Sequence, residues 1–103
     1  MKIAIIAVHN NTFWEMLKTC PEKLMGPIAA HGTWLEEKKA AGKYLGGYYL
    51  PGDGRDISLW ELEKEAEVDR LLLEDPLGFG FDFEVHPAIS VLEHIKNALD
   101  GKV

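Results

Sequence analysis

His31 is the residue of this chain best placed to do chemistry. It stands three residues after Ile28 and four before Leu35. On a helix it therefore shares their face and points with them toward the element they pack on. An imidazole there serves as a general base near neutral pH, or as a core histidine satisfied by a backbone carbonyl; the pattern admits both. Asp75 precedes Pro76, and an aspartate so placed at a helix end readily accepts backbone hydrogen bonds. Trp34, Tyr44, Tyr48 and Trp60 can line a ligand pocket, since such sites are mostly apolar with few polar groups, or pack in a core or subunit contact. His9 falls at the end of an apolar run, at a pocket rim or in solvent. Asp53 and Asp56 flank Gly54-Arg55 and read as solvated turn-formers.

Other chemistries find less support. His9, His31, His86 and His94 show no metal-ligand spacing, and no HxH or HExxH occurs, so no metal site is expected. Gly78-Phe79-Gly80 leads into a strand and lacks the third glycine and following helix of a dinucleotide loop. No cofactor is expected. Cys20 has no identified base to activate it as a nucleophile. It is the single cysteine of the chain, which leaves no intrachain disulfide and fits a reducing cytoplasm.

Composition narrows the class further. The 103 residues are 47% hydrophobic and 27% charged, enough for one domain with one core and unlike a disordered chain. The formal net charge is −6, with no basic stripe interleaved with aromatics, so nucleic acid is not an expected partner. The opening apolar run, Ile3 to Val8, is too short for a signal core or a membrane span. It reads as a buried strand, and no membrane partner is expected.

The elements that must position these residues follow from period and punctuation. Lys2–Val8 is apolar on both faces, as a central strand is. Phe13–Thr19 reads as a short helical segment capped by Thr12. A longer helix is expected from about Pro21 to Ala41, stopping at Gly42, with Gly26-Pro27 kinking or restarting it. Tyr44–Leu50 is a strand whose Gly46-Gly47 signals a bulge or a close backbone approach. After the turn at Pro51–Gly54, Asp56–Leu62 completes an antiparallel hairpin. A helix over Glu63–Glu74 is expected to bury Val68, Leu71 and Leu72, and Asp75-Pro76 ends it. Phe79–Val85 alternates aromatic and polar residues as a fourth strand. A last helix over about 88–99 carries Ala88, Leu92, Ile95 and Leu99 on one stripe.

The order is β-α-β-β-α-β, an α+β chain with a four-stranded antiparallel sheet of the ferredoxin-like kind and a C-terminal helix. The helices cover one sheet face. Aliphatic and aromatic residues on the other predict a second copy against it, with the last helix latching across the partner.

Three stretches carry a resemblance: Ala30-His31-Gly32-Thr33-Trp34-Leu35, Ala41-Gly42-Lys43-Tyr44-Leu45-Gly46-Gly47, and Leu72-Leu73-Glu74-Asp75-Pro76-Leu77. In this order and spacing the chain resembles the YCII-related proteins of the dimeric α+β barrel superfamily. Ile57-Ser58-Leu59-Trp60-Glu61 and Phe83-Glu84-Val85-His86-Pro87 are similar to muconolactone isomerases, relatives in fold. The matches cover about residues 30 to 87. Two departures stand out. The family's arginine before the helix histidine is absent where Gly26, Pro27 and Ile28 stand, and Phe13–Cys20 corresponds to no part of the pattern.

The resemblance implies a His–Asp pair in an active-site pocket, carried by His31 and Asp75; the residues themselves offer His9, Trp34, Tyr48 and Trp60 as its substrate-binding surround. It implies a cofactor-independent isomerase or lyase acting on a small aromatic-derived or lactone substrate. The alternative is a non-catalytic ligand-binding or oligomerising protein of the same fold. Both expect a homodimer or higher oligomer.

Overall fold

The sheet is built outward from its first strand. In the computed structural model, which describes residues 1–102, β1 (Lys2–His9) is flanked on both sides by antiparallel neighbours. One is β3 (Arg55–Glu61), which in turn pairs with β2 (Tyr44–Leu50); the other is β4 (Phe81–Ala88). The spatial order is β2-β3-β1-β4. Because side chains alternate along a strand, the register decides what faces the helices: Ile3 opposite Trp60 and Pro87, Ile5 opposite Ser58 and Val85, Ala7 opposite Asp56 and Phe83. Ile3, Ile5 and Ala7 are all buried.

Three helices connect these strands: α1 (Asn11–Thr19), α2 (Glu22–Ala40) and α3 (Ala66–Glu74). Ile3, Ile5, Trp60, Leu62, Val68 and Leu71 form the main core cluster, against which Trp34 and Leu35 of α2 pack. Each fully buried aliphatic or aromatic side chain contributes about 1.5–3 kcal/mol, so six such residues account for most of the hold of the helices on the sheet. Ala7, Leu77 and Phe81 form a second, smaller cluster at the far end of β1.

Several boundaries differ from expectation, each for a local reason. The cap of α1 is Asn10, not Thr12: its extended backbone lets Oδ1 accept the Phe13 N–H at 3.0 Å while Nδ2 donates to the Phe79 carbonyl at 2.9 Å. Asparagine is among the strongest N-caps. α2 runs unbroken through Gly26-Pro27; the proline lies near the helix start, where the carbonyl it leaves unbonded belongs to the exposed Lys23 and can be satisfied by water. Ile28 of its expected buried stripe stays exposed, whereas Leu24 is fully enclosed.

The start of α3 is Ala66 rather than Glu63. Leu62 first continues the sheet, donating its N–H to the Met1 carbonyl at 2.9 Å, and the chain then needs residues 63–65 to turn. Gly78–Gly80 form a short 3-10 turn, so Phe79 is not in a strand, and β4 begins two residues later. β4 then extends to Ala88, which pairs with Lys2, and the last helix, α4 (Val91–Leu99), starts later than the expected 88 because Ser90 caps it by accepting the Glu93 N–H.

Glycine has a stated job in two places. At Gly46 the β2–β3 register shifts, and its φ of 124° is one that L side chains rarely adopt. At Gly47 an added Cβ would lie 2.7 Å from the Ile57 carbonyl oxygen and 3.1 Å from the Tyr44 hydroxyl. The expected bulge and the expected close approach are thus both present, on adjacent residues.

The other sheet face is open. Tyr48, Ile57 and Leu59 are exposed on it. α4 buries none of its residues, and Val91, Leu92, Ile95 and Leu99 are all exposed. No helix among the described residues is long and apolar enough to cross a membrane.

Candidate active site

His31 projects from the middle of α2 toward the end of α3, where Pro76 forces Asp75 out of helical geometry to φ −62°, ψ 117°. That backbone turn aims the Asp75 carboxylate back under α2. Its Oδ1 accepts two hydrogen bonds, one from the Leu77 N–H at 2.9 Å and one at 2.6 Å with His31 Nδ1. The Asp75 side chain is 4% exposed and that of His31 20%. With Nδ1 engaged, Nε2 is the ring nitrogen left for a ligand. A charged or polar contact this short in a mostly enclosed place also fixes the ring's tautomer and orientation.

The pair opens on a cavity of about 200 Å³ between α2 and the sheet. Aromatic rings make its walls. His31 lies 5.9 Å from Trp34, ring to ring, and 5.9 Å from Phe81. Trp34 packs on Trp60 at 5.6 Å, and Tyr44 on Trp60 at 5.0 Å, all within the range of favourable aromatic contacts. Of the polar groups, Ser58 is occupied: its hydroxyl accepts the Trp60 indole N–H at 2.8 Å and donates to the Ile5 carbonyl at 3.3 Å. Trp34 Nε1–H is buried without a hydrogen-bond partner; Glu74 lies near it but outside bonding geometry.

Two further groups at the cavity titrate away from their ordinary values. Burial raises the Asp56 pKa and the neighbouring Asp75 raises it further, while His31 pulls the other way. Burial likewise raises the Tyr44 pKa, followed by repulsion from Asp56 and Glu36. The site therefore gathers three carboxylate or imidazole side chains, His31, Asp56 and Asp75, from three separate elements.

The residues expected from sequence are distributed as follows. His31 and Asp75 are in direct contact, and Trp34 and Trp60 form walls of the cavity. Tyr48 borders it but is 82% exposed, paired with Ile57 on the open face. His9 is not a lining residue. Its ring is sandwiched between Phe13 at 3.7 Å and Phe81 at 4.8 Å, with Nδ1 buried and unpartnered. Burial lowers its pKa, the Gly80 carbonyl opposes that in part, and His31 adds to it. Asp56, expected as a solvated turn-former at the start of the strand, is the second position of β3, half-buried and facing the helices. The signal for it was present: Asp56 alternates in step with Ser58 and Trp60. Among the described residues no three His, Cys, Asp or Glu side chains converge to hold a metal ion.

This β-α-β-β-α-β order with its four-stranded antiparallel sheet defines an α+β protein of ferredoxin-like fold, and solved structures bear that out. The chain superposes on 5-chloro-2-hydroxyhydroquinone dehydrochlorinase from Burkholderia phenoliruptrix AC1100, solved in complex with 2,5-dihydroxybenzoquinone, with a TM-score of 0.68 and 19% identity over 90% of this chain and 98% of the other. It superposes on muconolactone isomerase with a TM-score of 0.70 and 14% identity over 87% and 90% of the two chains. What this chain shares with both is the fold of one subunit, a four-stranded antiparallel sheet with helices packed on one face. No protein-family model matches the chain, and no curated protein sequence matches it.

Proposed function

We propose that this protein is a small-molecule enzyme, an isomerase or lyase that moves a proton on a small aromatic-derived or lactone substrate without a cofactor. The observation carrying this reading is the 2.6 Å contact between His31 Nδ1 and Asp75 Oδ1 at the wall of an aromatic cavity. His31 Nε2 takes the proton, and Asp75 holds the ring and pairs with the imidazolium that forms. Trp34 and Trp60 hold the substrate ring, with Tyr48 at the rim and His9 stacked behind the Phe81 wall. Support from neighbours of like fold comes from a dehydrochlorinase, bound to 2,5-dihydroxybenzoquinone, and an isomerase. The working unit in this reading is a homodimer or larger, with the open sheet face and α4 against a second copy, in the cytoplasm, where a lone cysteine stays reduced.

The test is turnover of a panel of hydroxylated aromatics and lactones, followed by absorbance, for the wild type and His31→Gln. Loss of turnover on the order of 10²–10⁴-fold, with the variant folded, is the expected result. Equal turnover by the variant excludes His31 as the base. A second reading, a non-catalytic ligand-binding or oligomerising protein, is favoured by one observation: the same Asp75 oxygen also closes the turn at Leu77, so the pair doubles as a tie between α2 and the α3–β4 connection. On that reading His31→Gln costs stability and changes no chemistry.

A further inference from the structure

A ligand in this cavity meets few groups able to recognise it. About 150 Å³ already admits benzene, so about 200 Å³ admits one six-membered ring with small substituents. The walls are aromatic faces. Ser58 is spent on Trp60 and Ile5, and Asp75 Oδ1 is spent on Leu77 and His31. What remains open is His31 Nε2, the Trp34 indole N–H and the Tyr44 hydroxyl, and, as acceptors only, the Asp56 carboxylate and the second oxygen of Asp75. Both Asp56 and Asp75 border the cavity, and no lysine or arginine does.

We propose that Asp56 is the specificity-determining residue of this cavity: its carboxylate accepts a hydrogen bond from a hydroxyl on an uncharged six-membered ring, and with Asp75 it turns away rings that carry a carboxylate. The inference rests on the cavity being a ligand site. Its chemistry is hydrogen-bond accounting: a half-buried carboxylate without a donor is costly, and a phenolic O–H supplies the missing donor in a charge-assisted bond. An anionic ring would instead put a third carboxylate beside Asp56 and Asp75 with only His31 to offset them. Burial raises the Asp56 pKa, His31 lowers it in part and Asp75 adds to the rise, in line with a carboxylate that accepts no hydrogen bond among the described residues.

The experiment is binding of hydroquinone, and separately of 4-hydroxybenzoate, to the wild type, Asp56→Asn and Asp56→Ser, by chemical-shift titration at neutral pH. The wild type binds hydroquinone and discriminates against 4-hydroxybenzoate. Asp56→Asn weakens hydroquinone about tenfold or more and relaxes the discrimination; Asp56→Ser serves the same purpose if the asparagine variant fails to fold. An unchanged ratio in either folded variant overturns the role of Asp56 while leaving the cavity a ligand site. A wild type that binds 4-hydroxybenzoate as well as hydroquinone also overturns it. A wild type that binds neither ring overturns the ligand site itself, and the turnover test of His31→Gln is read independently of all three results.

Discussion

Removing the Asp75 carboxylate should do two separable kinds of damage. Asp75→Ala strands the Leu77 N–H, which is buried, at about 1–3 kcal/mol. It also ends the 2.6 Å contact with His31, worth roughly 1.5–3 kcal/mol when one partner is charged, less whatever water returns to a ring that is one-fifth exposed. The sum is roughly 2–5 kcal/mol, which for a domain of this size lowers Tm by on the order of 10 °C or more. Asp75→Asn keeps an acceptor for both donors and should lose only about 1 kcal/mol. The assay is urea denaturation of the wild type, Asp75→Ala, His31→Ala and the double variant. The Leu77 loss persists without His31, whereas the pair loss is counted once, so an interaction energy of about 1–2 kcal/mol is expected. Additivity within about 0.5 kcal/mol refutes the pairing.

Other perturbations report on neighbouring parts of the fold. His9 has a folded pKa below 6.5, so its contribution to stability is intact above 6.5 and lost as pH falls through the window beneath it. His9→Phe, which keeps a ring between Phe13 and Phe81, should therefore flatten the acid limb of a Tm–pH curve, and an unchanged limb speaks against that burial. For Asp56 the sign reverses: a carboxyl raised above 3.8 costs stability once pH exceeds both values and is relieved as pH falls through the raised value toward 3.8. Asp56→Asn should accordingly gain more Tm at pH 7 than at acid pH. Gly47→Ala drives a methyl group against the Ile57 carbonyl and should lose about 1–3 kcal/mol with weakened β2 protection in hydrogen exchange. Finally, Leu59→Lys on the open face should yield a monomer by sedimentation if a second copy covers that face, and leave the oligomeric state untouched otherwise.

Much of this architecture was legible because local signals agreed. The run Ile3 to Val8 could only be a central strand, and Gly46-Gly47 announced both the bulge and the close approach found there. Errors gathered where a tertiary contact outbid a local pattern. Phe79 fits the alternation of β4, yet its carbonyl is held by Asn10 and the chain makes a turn first. Glu63–Glu65 suit a helix start, yet Leu62 is drawn on into the sheet by Met1. Pro27 looks like a break, but the first turns of a helix tolerate it. At the site, His31 was legible from its stripe, while its contact with Asp75 lies across 44 residues of sequence and required the folded chain. Asp56 opens the expected strand, but the turn signal two residues away suggests a solvated side chain where the alternation with Ser58 and Trp60 turns it inward. His9 showed its chemistry but not its neighbours; nothing local foretold that Phe13 and Phe81 would close over it.

The cavity draws its lining from Ile5 at one end of the chain to Phe83 near the other, by way of α2, β2, β3 and the α3–β4 connection. No shorter stretch contains a working portion of it. The cavity is therefore complete only where β1 and β4, the strands furthest apart in sequence, are paired, and on the proposed reading a ligand seated in it ties those elements together. Ligand saturation would then add about 2.7 kcal/mol to the stability of the whole domain at a hundredfold excess over Kd, and a chain without β4 lacks the Phe81 and Phe83 walls.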